Sequence, residues 1–369
     1  MKVNYDYVKK SMLKGTKERC EANYLSKLSL SITEINEATL LPGKMSEGGG
    51  IFDKDRYYDH SHLQNAYAWA KAYPFNESEL IYDDREVLYL GMFHDTWGHC
   101  ITDCISQLWP LFSENVPEYI RNAQWVYTTQ HPAPLPANFF RLLQILGIDI
   151  EKLEYISKPT KFKKIYLPDK SFYVDADTKH RMYTLEYKDI IDRILSKIDA
   201  DERYPKIYFT RTAFSGNRDF GEEAIEKVFR DMGYHIVSPE KFSFEEQVAM
   251  LKGCKSFTAT EGSCSHNALF MQPGNELITI RKIDHFYAYQ YPINAMKELN
   301  AICIDANLSH LPNNRKRPWL GPFFVYVNKR MAAFAGVQPH FPVKTYCRYA
   351  YPQLKKMVKR RLKRILHTK

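Results

Sequence analysis

Residues 206–305 alternate short β-rich runs with amphipathic helical stretches, and residues 86–198 do so more loosely, which predicts an α/β protein of two domains. The order in the second region is β-α-β-α-β-α-β-α-β, the pattern of a parallel, doubly wound, Rossmann-like sheet. A length of 369 residues leaves room for two cores, and a cleft between two such domains is the expected architecture. The expected divisions are an N-terminal extension over 1–50, α/β domains over 51–185 and 186–330, and a C-terminal segment over 331–369.

In the first region, Gly48-Gly49-Gly50 reads as a flexible joint, and His60 and His62 as polar surface. Glu86 to Leu90 is a β-rich run leading into a helical pattern from Gly98, with Ile101, Ile105, Leu108 and Trp109 on one apolar face and Asp95 or Thr96 as cap. His99 and Asp103 are four residues apart and share a face, where they can hydrogen-bond. A histidine oriented by a carboxylate, or a carboxylate poised as a base, can deprotonate a hydroxyl nucleophile. The plainer reading is that the pair ties the helix to its neighbours. Strands at Trp125–Thr128 and Lys164–Leu167 flank a helix at Asn138–Leu146, and a helix at Tyr187–Ile198 bridges to the second domain.

The second region opens with the strand Lys206–Arg211, followed by Arg218 in a polar loop and the amphipathic helix Glu222–Met232. A strand at Tyr234–Val237, a helix at Phe244–Leu251 and a strand at Lys255–Thr260 come next. The turn Glu261-Gly262-Ser263 then leads into a helix capped by Ser263 or Ser265 and stopped by Pro273-Gly274. Strand, helix and strand follow at Glu276–Ile280, Tyr291–Leu299 and Ala301–Asp305. Ligands of doubly wound sheets bind beyond the carboxyl ends of the strands. Arg211, Arg218 and the Glu261–His266 turn all fall at that edge, an arrangement suited to a pyrophosphate.

Composition narrows the class. Hydrophobic residues at 44% and charged residues at 26% are those of an ordinary globular protein. The seven scattered cysteines form no Cys-x-x-Cys pair, so neither a zinc site nor a disulfide framework is indicated, which points to a reducing, cytoplasmic compartment. The apolar runs are all too short to span a bilayer. The net charge of +9 lies almost wholly in residues 353–369, which hold eight Lys/Arg and no acid. Pro352 is expected to open a helix there, with Leu354, Met357, Val358, Leu362, Ile365 and Leu366 as an apolar stripe. A basic amphipathic helix reads as an anionic membrane-surface anchor at the inner face of the cell membrane. The near-neutral body has no basic groove, so nucleic acid is not an expected partner.

Two stretches together resemble glycosyltransferase family 61, particularly bacterial members of capsular or lipopolysaccharide synthesis. The matching residues are Trp97-Gly98-His99 with Asp103 and Trp109, Tyr208-Phe209-Thr210-Arg211 with Arg218 and Glu222, Phe244-Glu245-Glu246-Gln247, and Glu261-Gly262-Ser263 with His266-Asn267 and Pro273-Gly274. The resemblance implies a GT-B fold and inverting transfer from a nucleotide sugar to a hydroxyl of a glycan acceptor, fitted by a lipid-linked one. It implies no required metal or other cofactor. Arg211 and Arg218 would hold the diphosphate, aided by Gly262, Ser263, Ser265, His266 and Asn267. Glu222 or Glu245 would bind a ribose hydroxyl, and Asp103, ahead of His99, would be the base. Glu261 stands where many members carry a histidine. Two rival readings remain: a metal-dependent transferase binding its ion through Asp175 and Asp177, and a non-catalytic nucleotide- or sugar-binding partner of the same pathway.

Overall fold

The computed structural model describes residues 2–44, 47–63, 70–130, 134–213, 218–308 and 320–366, without the side chains of 360, 361 and 363–366. The loop 214–217 and the side chains of Arg360, Arg361, Lys363, Arg364 and Lys369, counted in the basic tail, lie outside the described residues. The chain divides into two compact units: Asn23–Asp199, and Met1–Ala22 joined with Ala200–Lys369.

The expected N-terminal extension does not exist as such. Strand β1 (Val3–Asn4) and helix α1 (Lys10–Glu21) are built into the second unit. The next strands, β2 (Ile32–Lys44) and β3 (Gly48–Phe52), belong to the first unit's sheet. In β2, Ile35, Ala38 and Leu40 are buried, so apolar burial decides for strand. The supposed glycine joint is β3 itself. A Cβ on Gly49 would lie 2.8 Å from Gly43 Cα, and one on Gly50 2.5 Å from Ser61 Oγ, so close approach requires glycine there.

The first sheet continues with β4 (Tyr57–Tyr58), β5 (Ile81–Phe93), β6 (Gln124–Thr129), β7 (Leu153–Tyr155) and β8 (Thr160–Pro168), in the order β4-β3-β2-β8-β5-β6-β7. Strands β8, β5, β6 and β7 run parallel, whereas β2 is antiparallel to both β3 and β8. The unit is therefore mixed α/β and not a parallel doubly wound sheet. Long-range pairing of β2 makes the difference. Helix α2 (Trp97–His99) runs directly into a π turn over Cys100–Cys104, and α3 (Glu118–Arg121) and α4 (Ala137–Ile145) follow. The hairpin of β9 (Phe172–Val174) and β10 (Arg181–Tyr183) precedes α5 (Leu185–Ser196). Expected as a bridge, α5 instead buries Tyr187, Ile190, Ile191 and Ile194 and falls inside the first unit, moving the division from 185 to 199.

The second unit has the parallel sheet that the alternation predicts. Its strands are β11 (Lys206–Phe209), β13 (His235–Val237), β14 (Ser256–Thr260), β15 (Glu276–Arg281) and β16 (Asn300–Asp305), with β12 (Asp219–Phe220) outside the sheet, paired to β17 (Phe323–Phe324). The order is β1-β16-β15-β14-β11-β13, every pair parallel. From β11 the chain goes to β13 on one side and returns to β14 on the other. The switch point of the winding thus lies between β11 and β14. Helices α6 (Glu222–Asp231), α7 (Phe244–Gly253), α8 (Gln290–Met296) and α9 (Lys329–Ala335) complete the unit. Helix α10 (Val343–Leu366) begins well before Pro352, which lies inside it. Tyr349 and Ala350 pack with Phe220 and Phe324, and that burial starts the helix upstream of the proline. Beyond that contact Leu354, Met357, Val358 and Leu362 are exposed. Among the described residues no helix is long and apolar enough to cross a membrane.

Candidate active site

In the first unit the candidate pair His99 and Asp103 lies on the segment formed by α2 and the π turn. Its apolar side chains Ile101, Ile105, Leu108 and Trp109 are buried, as the periodicity predicts. Thr96 takes the N-cap position but makes no side-chain cap. Gln107 and Trp109 bolt the segment to the end of β8, donating to the carbonyls of Pro168 and Asp169 at 2.7 and 2.9 Å. The Tyr187 hydroxyl donates to Ile101 O at 2.7 Å. Asp103 is thereby fixed in the interior. Its Oδ1 accepts from Arg181 Nη1 at 3.0 Å, and its Oδ2 lies 2.7 Å from His99 Nδ1. The side chains of Asp103 and Arg181 are 2% and 3% exposed, that of His99 23%. So the carboxylate is enclosed and neutralised, and the imidazole reaches the surface. The His94 ring lies 4.7 Å from that of His99, centroid to centroid. Lys170, wholly buried, donates to Gln107 Oε1 at 3.2 Å. Burial pushes its ammonium down to about 8, against the pull of Asp103.

In the second unit the expected residues gather at the carboxyl ends of β11, β14 and β15. Arg211 Nε donates to Asp219 Oδ2 at 3.1 Å, and Lys282 Nζ lies 3.6 Å from Asp219 Oδ1. The Lys282 ammonium stands 4.3 Å over the Phe323 ring, and the Arg218 guanidinium 5.6 Å over the same ring. Cys264 Sγ donates to Phe209 O at 3.7 Å, joining the turn after β14 to the end of β11 at the switch point.

Several expected contacts turn out to be structural. Glu222, read as a ribose ligand, is wholly buried, with Oε1 accepting from Tyr208 OH at 3.0 Å and Arg211 N at 3.2 Å. Burial, with Asp219 adding, pushes its carboxyl up to about 7. Glu261 is buried too, 3.9 Å from Arg281 Nε, and burial raises it to about 7. Arg281 also donates to Asp305 Oδ1 at 3.1 Å and to Thr16 Oγ1 of α1 at 2.8 Å. Glu261 therefore anchors the turn from below. The helix expected after it is a six-residue 3-10 helix, Ser265–Phe270, without a side-chain cap. Ser265 Oγ accepts from Gly262 N at 3.1 Å and lies 2.6 Å from Gln290 Oε1. Asn267 Nδ2 donates to Cys264 O at 2.9 Å, and the His266 ring is buried 5.4 Å from that of Tyr289. These three shape the turn, leaving Gly262 and half-buried Ser263 at its tip. Half-buried Glu245 opens α7, after β13, at the same sheet edge.

Asp175, half of the rival metal pair, accepts from Thr178 N and Oγ1 at 2.8 and 2.7 Å in the tip between β9 and β10, and Asp177 is exposed. Sequence reasoning missed Asp219, Lys282 and Arg181. For Lys282 a signal existed, because a basic residue directly after the strand Glu276–Ile280 falls at the ligand edge. Arg181 lies far from Asp103 in sequence and left none.

Comparison with known proteins identifies the chain as a glycosyltransferase. More narrowly, residues 97–278, from α2 into β15, match the family Glycosyltransferase 61. No curated protein sequence matches the chain. Among solved structures it is similar to the bacterial iron-containing dodecameric glycosyltransferase TibC from enterotoxigenic E. coli H10407. That match is 8% identical, covers 75% of this chain and 87% of TibC, and has a TM-score of 0.28. So loose a likeness carries no argument about fold or metal.

Proposed function

We propose that the protein is an inverting, metal-independent glycosyltransferase of the GT-B type, moving a sugar from a nucleotide donor to a hydroxyl of a surface glycan. The observation that carries this is the His99–Asp103–Arg181 arrangement: a partly exposed imidazole whose Nδ1 is engaged by a buried, neutralised carboxylate. In this reading, which the geometry supports, His99 is the base and Asp103 its positioning residue, the reverse of the order expected from the sequence. With Nδ1 engaged, Nε2 takes the acceptor's proton as the acceptor oxygen bonds to the anomeric carbon. The bond from that carbon to the donor phosphate breaks, and its electron pair leaves with the nucleoside diphosphate. Arg211 and Arg218, at the edge where doubly wound sheets bind ligands, meet the developing charge in place of a metal. Glu245 holds the ribose.

The acceptor is a growing capsule- or lipopolysaccharide-type glycan carried on lipid. The exposed apolar residues of α10, set among Lys355, Lys356 and Lys359, hold the enzyme to the anionic inner face of the membrane.

The test is thermal stabilisation by a panel of nucleoside diphosphates and nucleotide sugars in EDTA, with turnover assays, on wild type, Arg211→Ala and His99→Ala. One nucleotide class should stabilise the wild type, Arg211→Ala should abolish that shift, and His99→Ala should keep it while losing turnover. Stabilisation only when Mn²⁺ or Mg²⁺ is added, or by no nucleotide at all, overturns the reading.

A further inference from the structure

We propose that Lys282 is the third cation of the donor cradle, gripping the β-phosphate while Arg211 grips the α-phosphate, with Asp219 as the residue that positions both. This rests on the nucleotide-sugar reading above.

Arg211 follows β11 and Lys282 follows β15, with β14 between them in the sheet. Two strand spacings put their main chains roughly 10 Å apart. Yet both side chains reach opposite oxygens of one carboxylate, Arg211 on Asp219 Oδ2 and Lys282 toward Oδ1. They lean toward each other over the carboxyl end of β14. The floor beneath is bare: Gly262 has φ 129°, and among the described residues a Cβ there would meet only the Tyr287 ring edge at 3.9 Å. Tyr287, half-buried, comes from the same loop as Lys282.

Two further facts point to a ligand. First, Lys282 is only 7% exposed, and among the described residues its ammonium makes no hydrogen bond. Asp219 Oδ1, at 3.6 Å, is beyond hydrogen-bond range and is itself a buried oxygen without a hydrogen-bond partner. Lys282 and Asp219 are thus paired by charge without a hydrogen bond, which leaves the ammonium's donors available to a ligand. Second, Arg211 and Lys282 share the one carboxylate of Asp219, with the Arg218 charge acting on Lys282 as well, while Glu222 is held toward its neutral form. Burial, with Arg211 and Arg218 adding, pulls the Lys282 ammonium's pKa down against the opposing charges of Asp219 and Glu222. A polyanion relieves that strain.

The sheet order also sets direction. With the ribose at Glu245 beside β13, the phosphates run along the edge toward β11 and then β15. Lys282 then faces the β-phosphate, the oxygen of which receives the electron pair when the sugar leaves.

Titration calorimetry on the full chain decides the matter, using UDP, GDP and ADP, their monophosphates, and inorganic pyrophosphate. Lys282→Met should weaken the bound diphosphate by ~10- to 100-fold and the matching monophosphate by less than ~3-fold, and Lys282→Arg should restore most of the loss. An unchanged ratio of diphosphate to monophosphate affinity in Lys282→Met overturns the inference and leaves the nucleotide-sugar reading standing. Failure of the wild type to bind any nucleoside diphosphate or pyrophosphate overturns both. If Lys282→Met fails to fold, Asp219→Asn is compared with Asp219→Asn/Lys282→Met, where no buried carboxylate loses its cation. The same ratio then decides.

Discussion

Replacing Glu222 with glutamine should remove a pH dependence of stability from the wild type. Glu222 opens α6 directly after Gly221, which has φ 88° and comes so close to Val325 O that a Cβ would overlap it. Burial of the carboxyl raises its pKa from 4.5 to about 7. Below pH 4.5 the group is protonated in both folded and unfolded chains. Between 4.5 and 7 the folded protein keeps a proton that the unfolded chain has released, so stability falls as pH rises. The loss is complete above about pH 7. Over a shift of this size the slope integrates to about 3 kcal/mol. Glutamine keeps the shape and an oxygen for Tyr208 OH and Arg211 N, but it does not titrate. Urea denaturation of both proteins at pH 4.5, 6 and 8 reads the difference, in which Glu261 and every other shared group cancels. The variant should gain on the wild type by about 3 kcal/mol from the lowest to the highest pH. A difference constant to within ~1 kcal/mol would show that Glu222 is not held neutral, and the burial argument would fail.

Three other expectations follow from the geometry. Asp103→Asn preserves shape but not charge, and should cut sugar transfer by ~100- to 10,000-fold with nucleotide binding intact; a loss below tenfold would remove Asp103 from the mechanism. Arg181→Met strands the buried Asp103 carboxylate and should cost about 3–5 kcal/mol in urea denaturation, with much of that recovered in Asp103→Asn/Arg181→Met. Gly50→Ala forces a Cβ to 2.5 Å from Ser61 Oγ at φ 110° and should destabilise the fold by ~2 kcal/mol or more, whereas a true flexible joint would accept it silently.

What the sequence made legible was whatever repeats locally. The strand–helix alternation of 206–305 carries its own period, so the parallel sheet and its ligand edge could be read directly. The apolar face from Ile101 to Trp109 likewise placed His99 and Asp103 together. Non-local pairing was illegible. A two-residue strand such as β1 has no period to detect, and nothing in Ile32–Lys44 announces the strands it will join. The roles within the site were also hidden, because burial decides them. Asp103 stands slightly ahead of His99 until Arg181 is seen to enclose it, and Glu222 looks like a ligand-binding acid until Tyr208 covers it.

The pairing of Val3 with Ala301 has a consequence for how the protein is made. The first element of the second unit leaves the ribosome long before its neighbour β16 exists. Helix α1 must then wait with Met12 and Cys20 uncovered until Arg281 arrives to take Thr16. The first unit, contiguous from Asn23 to Asp199, faces no such delay and can condense while the rest is still being synthesised. The second unit is thus assembled last, by capture of its own leading end. A recombinant fragment starting at residue 200 would present the naked edge of β16 to any passing strand, inviting aggregation. The second unit, dissected out, therefore needs residues 1–22 supplied, fused or in trans.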